Sequence, residues 1–370
     1  MHPLIDSELQ RKAIIYTRKK DRVHLIQILL SCAYLLVFYF SGLSGEIALS
    51  VMGFSFPIAL ILYLLCFLPL TLILLPLSFL SDYRIEKEFG LSTQKIGAWF
   101  ADQIKGLLLA VVFGYPFLLL LFFLFIHTPL AWWIFGGCGL FLFQLFVAII
   151  FPVLIVPLFF KQKPIEDKDL EKQVYALFDE TGIKIRGVYS FDLSRKTKKE
   201  NALIAGLFKT RRILLADTLL KKRNKEEILV VLAHEIGHHV NRDVLKHMLL
   251  DVFTSFIIFY VIHRIMILFP GFPESFSSTL SLFPLFILFM SLLSFPIHII
   301  VNAYSRMHEK NADQFAITLT RNPEAFISVM AGLANTNLAV AYPKKLKVLL
   351  AYSHPPIGKR IEFAQEIQYS

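Results

Sequence analysis

The sequence has few charged residues and few cysteines for its length, and both shortages exclude classes of protein. Only 18% of its 370 residues are charged, whereas 56% are apolar. Soluble domains have about 25% charged and 45–50% apolar residues. The chain is therefore not an ordinary soluble protein, and it is not disordered, since disorder requires low hydrophobicity. Three cysteines, all inside apolar runs, exclude a disulfide scaffold.

Charged residues are missing from several stretches that are long enough to cross a membrane. A spanning helix needs about 20 mostly apolar residues. Five stretches contain no Asp, Glu, Lys or Arg, and a sixth is interrupted by three of them. The sequence therefore predicts six transmembrane helices, within residues 25–43, 47–80, 106–126, 129–160, 244–269 and 275–305.

Lys and Arg are absent from alternate loops. The short loops 44–46, 127–128 and 270–274 contain none, whereas the other polar segments contain between four and 18 each. By the positive-inside rule, both termini and both large polar segments are cytoplasmic. This distribution accounts for the net charge of +10 with the lipid bilayer as partner, so we expect no nucleic-acid partner. The apolar run begins too late for a signal peptide, so the first helix is expected to be retained.

The charge pattern divides the chain into four segments. Residues 1–160 form an N-terminal tail with four transmembrane helices, and 161–243 form a cytoplasmic segment. Residues 244–305 form two more transmembrane helices, and 306–370 a C-terminal polar segment. Helical periodicity predicts helices in the polar segments at 164–182, 226–240, 306–319, 323–334 and 358–366. Three short runs, 187–192, 202–208 and 212–216, predict a small antiparallel sheet, with residues 209–211 as a hairpin connection.

The sequence His-Glu-Ile-Gly-His at 234–238 is the strongest chemical signal in the chain. His234 and His238 are four residues apart in a predicted helix, so both can bind one zinc ion. Glu235 can then reach a zinc-bound water and act as general base. From the composition, such a pentapeptide is expected on the order of 0.01–0.02 times per chain. Gly237 would allow close packing of another helix or of substrate.

Zinc needs a third protein ligand, and the sequence offers several. Glu309 can bind the metal from a predicted helix, and Asp313 lies on the same face to hold a ligand imidazole. Two alternatives remain open: Glu309 and Asp313 are solvated charges, or His308 is the ligand. The residues considered as third ligand are His239, His298, His308, Glu309, Asp313 and His354.

Asp251 and His298 are ionisable residues in or near the last two predicted spans. Such residues are expensive inside a membrane. Asp251 either lies at the interface, or both residues line an aqueous chamber.

The arrangement of these motifs resembles the CAAX prenyl protease 1 family of zinc metallopeptidases. The matching elements are His-Glu-Ile-Gly-His at 234–238, Ser-Arg-x-x-Glu-x-x-Ala-Asp at 305–313 and Ser-His-Pro-Pro at 353–356. Residues 82–90, 152–157 and 201–202 also look like family segments, and the resemblance runs from about residue 8 to the C-terminus. Eukaryotic members have seven spans, so the six predicted here favour a bacterial member, in the cell inner membrane.

The resemblance implies a role for each site residue. One Zn²⁺ per chain is held by His234, His238 and Glu309, with Glu235 as the base. His354 stabilises the oxyanion, and Arg360 is a basic residue near the site that is expected to bind substrate. Asn201 and Ala202 lie on an edge strand that pairs with the substrate backbone.

The resulting fold expectation is a mainly α, polytopic membrane protein. Its six helices enclose a chamber, and its gluzincin-like cytoplasmic zinc peptidase domain carries the small antiparallel sheet. The expected function is that of a CAAX prenyl protease-like metalloendopeptidase. Its substrate is a peptide or protein, possibly with a prenylated C-terminus. The alternatives are a quality-control protease for unprenylated peptides and a non-enzymatic zinc-binding membrane protein.

Overall fold

The protein is mostly helical. A computed structural model describes residues 2–206, 211–270, 272 and 274–368. The helices are α1 (Ser7–Phe40), α2 (Leu43–Ser50), α3 (Phe56–Glu88), α4 (Ile96–His127), α5 (Trp132–Phe159), α6 (Lys168–Asp179), α7 (Asp217–Lys222), α8 (Lys225–Val240), α9 (Asp243–Met266), α10 (Phe276–Ser281), α11 (Phe283–Thr320), α12 (Pro323–Thr336), α13 (Lys345–Ala351) and α14 (Ile357–Gln368). The strands are β1 (Gln162–Pro164), β2 (Val188–Phe191), β3 (Ala202–Ala205) and β4 (Arg212–Ala216).

Six of the described helices, α1, α3, α4, α5, α9 and α11, are long and apolar enough to cross a membrane. This confirms the predicted number of spans. The helices have 24 to 38 residues, more than the roughly 20 that a bilayer requires, so several project beyond it. Helices α3, α4 and α5 each contain a short π-helical segment, at Leu80–Ile85, Ala110–Gly114 and Phe151–Ile155.

The two ends of the molecule have separate hydrophobic cores. One core joins Ile5 to residues of the sheet and of α6, α8, α12 and α14. Asp6 is also tied to this end, because its backbone N–H donates to the Asn335 side chain at 3.0 Å. The other core packs the short loops against the membrane helices, for example through the edge-to-face pair of Phe56 and Phe276. The N-terminus and both polar segments therefore lie at one end.

The sheet is mixed, so the predicted antiparallel sheet is wrong in part. The strand order is β1-β2-β4-β3, with β2 and β4 parallel and the other two pairs antiparallel. Strand β4 is central because Ile213, Leu214 and Leu215 are fully buried, as expected for a strand covered on both faces. Two residues of the predicted hairpin connection 209–211, those at 209 and 210, lie outside the described residues.

Two predicted helix boundaries differ from the structure. The helix predicted to begin at Pro164 begins at Lys168, because Pro164 belongs to β1 and the Asp167 side chain caps the helix at Leu170 N–H, 2.9 Å away. Helix α11 continues from the sixth span into the C-terminal polar segment without a break at residue 305. A single helix therefore carries both membrane-spanning residues and Glu309.

Asp251 and His298 line a common cavity between α9 and α11. Its volume is about 410 Å³, and Thr254, Ser291 and Ser294 contribute hydroxyl groups to it. Because the rest of its lining is apolar, with Ile258, Phe295, Ile297 and Val301, the aqueous chamber stays a prediction.

Candidate active site

Helix α8 presents both histidines of the His-Glu-Ile-Gly-His motif in one direction. A capping box fixes its N-terminus: the Glu227 N–H donates to the Asn224 side chain at 2.8 Å, and the Asn224 N–H donates to the Glu227 carboxylate at 3.1 Å. His234 and His238 follow on one face, with ring centroids 4.8 Å apart. Both imidazoles face helix α11.

Gly237 allows α8 and α11 to approach closely. A Cβ atom at this position would lie 3.1 Å from the Cα atom of Ala312 and 3.2 Å from the Cβ atom of Phe315. The structure thus agrees with the expectation that a small residue here accommodates another helix. Because Ala312 is three residues after Glu309, the same contact brings Glu309 to the histidines.

Glu309 completes a cluster of three side chains that could hold a metal ion. Its Oε2 atom lies 3.3 Å from Nε2 of His234, and its Oε1 atom lies 3.4 Å from Nε2 of His238. One ligand atom from each residue falls within 4.8 Å of the others. The structure therefore brings together the three predicted ligands and does not leave Glu309 as a solvated charge.

The cluster fits a zinc ion. Two imidazole nitrogens and one carboxylate oxygen are a donor set that zinc accepts when a fourth position stays open for water. Oε2 of Glu309 is buried and has no hydrogen-bond partner among the residues that the structure describes. A bound cation would satisfy this oxygen.

Each imidazole of the cluster is held by a carboxylate on its far side. Nδ1 of His234 lies 2.9 Å from Oδ1 of Asp313, and Nδ1 of His238 lies 3.0 Å from Oδ2 of Asp243. This arrangement directs both Nε2 atoms toward the metal position. Asp313 was predicted for this role, whereas Asp243 was missed. The available signal was an acidic residue five positions after His238, beyond the end of the helix.

The carboxylates give the cluster a strong preference for positive charge. Burial alone would lower the pKa of His234, but Asp313 and Glu309 raise it to about 9. Burial likewise opposes protonation of His238, yet its pKa is raised, chiefly by Glu309 and also by Asp243. A protonated imidazole and a bound cation satisfy the same carboxylates.

Arg360 supports Asp313. Its Nε atom donates to Oδ2 of Asp313 at 2.8 Å, and its Nη2 atom lies 3.9 Å from Oε2 of Glu309. The side chain is only 9% exposed. Although burial alone would lower the Arg360 pKa, Asp313 raises it. The guanidinium is thus held at the cluster by Asp313 and lies near Glu309. A role for Arg360 in substrate binding remains a prediction.

His354 reaches the cluster from the loop between α13 and α14. Its Nε2 atom lies 3.0 Å from Oε1 of Glu309, and its ring is the most exposed of the site histidines. Arg306 anchors this loop, since its Nη1 atom donates to the carbonyl oxygens of Val348 at 3.2 Å and Tyr352 at 2.6 Å. Helix α11 therefore positions Glu309 directly and His354 through Arg306.

Glu235 faces a cavity of about 230 Å³ beside the cluster. Burial raises the pKa of its carboxyl group, and the charge of Glu309 adds to this effect. The cavity gathers most of the predicted site residues and has an apolar side. It is lined by Asn201 and Ala202 from the start of β3, His234 and Glu235 from α8, His354, Arg360, and Phe326, Met330 and Leu333 from α12.

The start of strand β3 lines this cavity, and the strand is at an edge of the described sheet. It pairs with β4 on one side, where Ala202 is opposite Leu215. The Ala216 N–H donates to the carbonyl of Asn201 at 3.0 Å, which holds the start of the strand in place. The predicted edge strand thus lies beside the metal cluster.

The other candidates for the third ligand lie elsewhere. His239 lines a separate apolar cavity with Leu203 and Ile204, and burial lowers its pKa to about 4. His298 lies in the cavity shared with Asp251. His308 points at Asp243 and not at the cluster, with Nδ1 2.7 Å from Oδ1.

Comparison with known proteins identifies the family. A family model described as peptidase family M48 matches residues 164–368, and one described as the CAAX prenyl protease N-terminal region with five membrane helices matches residues 1–161. The chain belongs to peptidase family M48. Within the described part of 1–161, this M48 protein has four long helices and the short α2.

Several relatives of this M48 protein cover almost all of it. A protein named uncharacterized metalloprotease YhfN, from Bacillus subtilis, is 31% identical over 95% of this chain and 84% of its own length. CAAX prenyl protease 1 from Saccharomyces cerevisiae is 30% identical over 96% and 86%. The crystal structure of S. mikatae Ste24p matches with a TM-score of 0.86 at 27% identity, over 98% of this chain and 90% of that one.

These comparisons confirm the predicted family and enzyme class. The protein is a membrane metalloprotease of a zinc-dependent peptidase family. The non-enzymatic alternative is thereby set aside.

Proposed function

We propose that the protein is an endopeptidase that binds one zinc ion through His234, His238 and Glu309. The observation that carries this proposal is the position of these three residues, directly beside a cavity that contains Glu235 and borders an edge strand. Zinc bound there would polarise a peptide carbonyl and lower the pKa of water.

The chain's own residues then handle the protons. Glu235 accepts a proton from the attacking water and returns it to the leaving amine. His354, with its exposed ring in the same cavity, donates a hydrogen bond to the carbonyl oxygen as negative charge develops there. Asp313 holds His234 in the orientation that binding requires.

Asn201 and Ala202 are proposed to bind the substrate backbone. An extended peptide can add to the free edge of β3 and place its scissile bond near Glu235. Arg360 lines the same cavity and supports the site through Asp313.

The substrate class is proposed to be a peptide or protein with a prenylated C-terminus. This rests on the printed name of the yeast relative, CAAX prenyl protease 1, which matches 96% of this chain. The relative from Bacillus subtilis carries no substrate in its name, and cleavage of unprenylated, membrane-associated peptides is the alternative.

The catalytic end is proposed to face the cytoplasm, in the inner membrane of a bacterial cell. The charge distribution supports this, because Lys and Arg concentrate in the polar segments at one end. The proposed division of the chain is into the four segments 1–160, 161–243, 244–305 and 306–370. Helix α11 runs across the boundary between the last two.

The decisive experiment compares two fluorogenic peptides that differ only by a farnesyl group on cysteine. Purified protein should cleave the farnesylated peptide faster, should lose activity with a zinc chelator and should regain it when zinc is added. The matched control is the Glu235→Gln protein from the same preparation. Equal cleavage of both peptides would favour the unprenylated alternative. Cleavage of neither by zinc-loaded protein would reject the proposed activity on these substrates.

A further inference from the structure

Asp243 occupies an unusual position at the first residue of α9. Helix α8 ends at Val240, and the chain reverses through Arg242, which has a positive φ of 56°. This left-handed conformation is uncommon for a residue other than glycine. The turn returns Asp243 to the metal cluster, where it is only 2% exposed.

The buried Asp243 carboxylate lies between two imidazoles. Its Oδ2 atom lies 3.0 Å from Nδ1 of His238, and its Oδ1 atom lies 2.7 Å from Nδ1 of His308. The exposed Lys246 is the other cationic neighbour, at 3.4 Å from Oδ1. A buried carboxylate needs such partners, because an unpaired buried charge is strongly unfavourable.

His308 is held against Asp243 by aromatic packing. It is 6% exposed, and its ring meets that of Tyr304 edge-on at 4.3 Å and lies 5.2 Å from that of His247. Neither ring nitrogen makes a hydrogen bond of good geometry to any described residue, so His308 approaches Asp243 closely without an aligned hydrogen bond. His308 follows Tyr304 on α11 and immediately precedes Glu309.

The two ligand histidines are supported in parallel ways. His234 has the Asp313 carboxylate, and Asp313 has the Arg360 guanidinium. His238 has the Asp243 carboxylate, and the buried basic group next to Asp243 is His308. His308 thus lies against Asp243 as Arg360 lies against Asp313, but Arg360 donates hydrogen bonds to its carboxylate and His308 makes only a packed contact.

We propose that Asp243 is a positioning residue for the metal ligand His238, and that His308 acts on His238 through Asp243. The proposal rests on the zinc site of the proposed function. A carboxylate on Nδ1 fixes the imidazole tautomer that leaves Nε2 free for the metal and fixes the ring orientation. His308 packs against the other oxygen of this carboxylate, Oδ1, and limits the movement of Asp243.

The test measures zinc affinity of the purified full-length protein by competition with a chelator. Asp243→Ala should weaken zinc binding by about 10–100-fold, the range found for such outer partners of metal ligands. The zinc affinity of Asp243→Asn should lie between those of the wild type and Asp243→Ala. The amide oxygen still accepts a hydrogen bond from Nδ1–H of His238 but carries no charge. The control Lys168→Gln removes only an exposed ion pair with Glu171 on α6 and should bind zinc as the wild type does.

Combined variants separate the role of His308. His308→Phe keeps the ring packed on Tyr304 and should weaken zinc binding by less than Asp243→Ala does. In the Asp243→Ala background it should have no additional effect, because the two residues act through one path. Cobalt substitution gives an independent readout, since the visible spectrum of bound cobalt should change in Asp243→Ala and not in Lys168→Gln.

The outcomes distinguish this inference from the zinc site itself. If the wild type binds no zinc, or if His238→Ala binds as tightly, the proposed metal site is wrong. If the wild type binds zinc, His238→Ala does not, and Asp243→Asn binds as tightly as the wild type, the inference alone is overturned. If His308→Phe and Asp243→Ala have fully additive effects on zinc affinity, His308 does not act through Asp243. Thermal unfolding of the metal-free proteins checks that each variant is folded. If Asp243→Ala does not fold, the zinc affinity of Asp243→Asn decides whether Asp243 positions His238.

Discussion

Glu309 is the residue on which the metal site depends most, because both ligand histidines face its carboxylate. We predict that Glu309→Ala loses most of its zinc. The loss should exceed the roughly 10–100-fold typical of an outer partner, since a direct ligand is removed. Elemental analysis of the purified protein measures it. Glu324→Ala, an exposed glutamate on α12, serves as control and should retain about one zinc per chain.

The same experiment separates Glu309 from its neighbour His308. Full zinc content in Glu309→Ala, together with loss in His308→Phe, would show that the wrong residue of the pair was assigned as ligand.

Glu235 adjoins the cluster without belonging to it, so its removal should separate catalysis from metal binding. We predict that Glu235→Gln keeps its zinc and loses activity by about 10²–10⁴-fold or more, because the amide can neither accept nor return the proton. Zinc content and peptide cleavage are measured on the same sample. Substantial turnover by a zinc-loaded Glu235→Gln protein would remove Glu235 from the mechanism.

Residues within one helix were predictable, and residues brought together by turns were not. The spacing of four that joins His234 to His238 also joins Glu309 to Asp313, and helix geometry alone places each pair on one face. Asp243 depends on the left-handed Arg242, which no residue preference indicates. The place of His354 was taken from the family resemblance, because a loop before two prolines has no periodicity to read.

At the scale of elements, the contact between α8 and α11 assembles the ligands from two distant parts of the chain. We predict that Gly237→Ala lowers the thermal stability of the protein and weakens zinc binding. The added methyl group would press on the backbone of Ala312, which cannot move aside as a flexible side chain can. Overpacking typically costs 1–3 kcal/mol, whereas Ala in place of Gly gains about 0.5–1 kcal/mol of helix stability, so a net loss of about 1 kcal/mol is expected.

The matched control is Gly106→Ala in the interior of α4, where a Cβ atom meets nothing within 4 Å. It should leave the thermal midpoint unchanged or raise it, because only the helix preference acts there. If both substitutions shift the midpoint upward and leave zinc affinity intact, the contact of α8 and α11 at Gly237 is looser than the structure indicates.

For the sheet, the positions of the strands could be predicted from the sequence, but their order could not. Short β-prone runs were found, but their order was not, because pairing depends on which strand is buried on both faces. The uninterrupted apolar run from Ile213 to Ala216 identifies the central strand, and the connection from β2 to β3 is too long for a hairpin. Together these features place β4 between β2 and β3.

At the scale of the whole molecule, the count of membrane helices and the grouping of polar segments followed from the charge distribution alone. Ile5 and the catalytic segments share one core, as expected if the loops rich in Lys and Arg lie on one side. The enclosed chamber stays a prediction: the cavity at Asp251 and His298 and the cavity at Glu235 have no lining residue in common. A chamber depends on how several long helices lean relative to one another, and local sequence patterns carry no such information.

The absolute orientation in the membrane can be tested with single cysteines. In a background lacking the three native cysteines, Glu274→Cys lies in a loop at the end opposite the catalytic segments, and Lys198→Cys lies in the catalytic segment. Both positions are exposed, so reactivity depends on sidedness and not on burial. We predict that a membrane-impermeant thiol reagent added to intact cells labels position 274 and spares position 198, and that it labels both after the cells are opened. Labelling of 198 alone in intact cells would reverse the orientation and move peptide cleavage to the outer face, where prenylated cytoplasmic proteins cannot be its substrates.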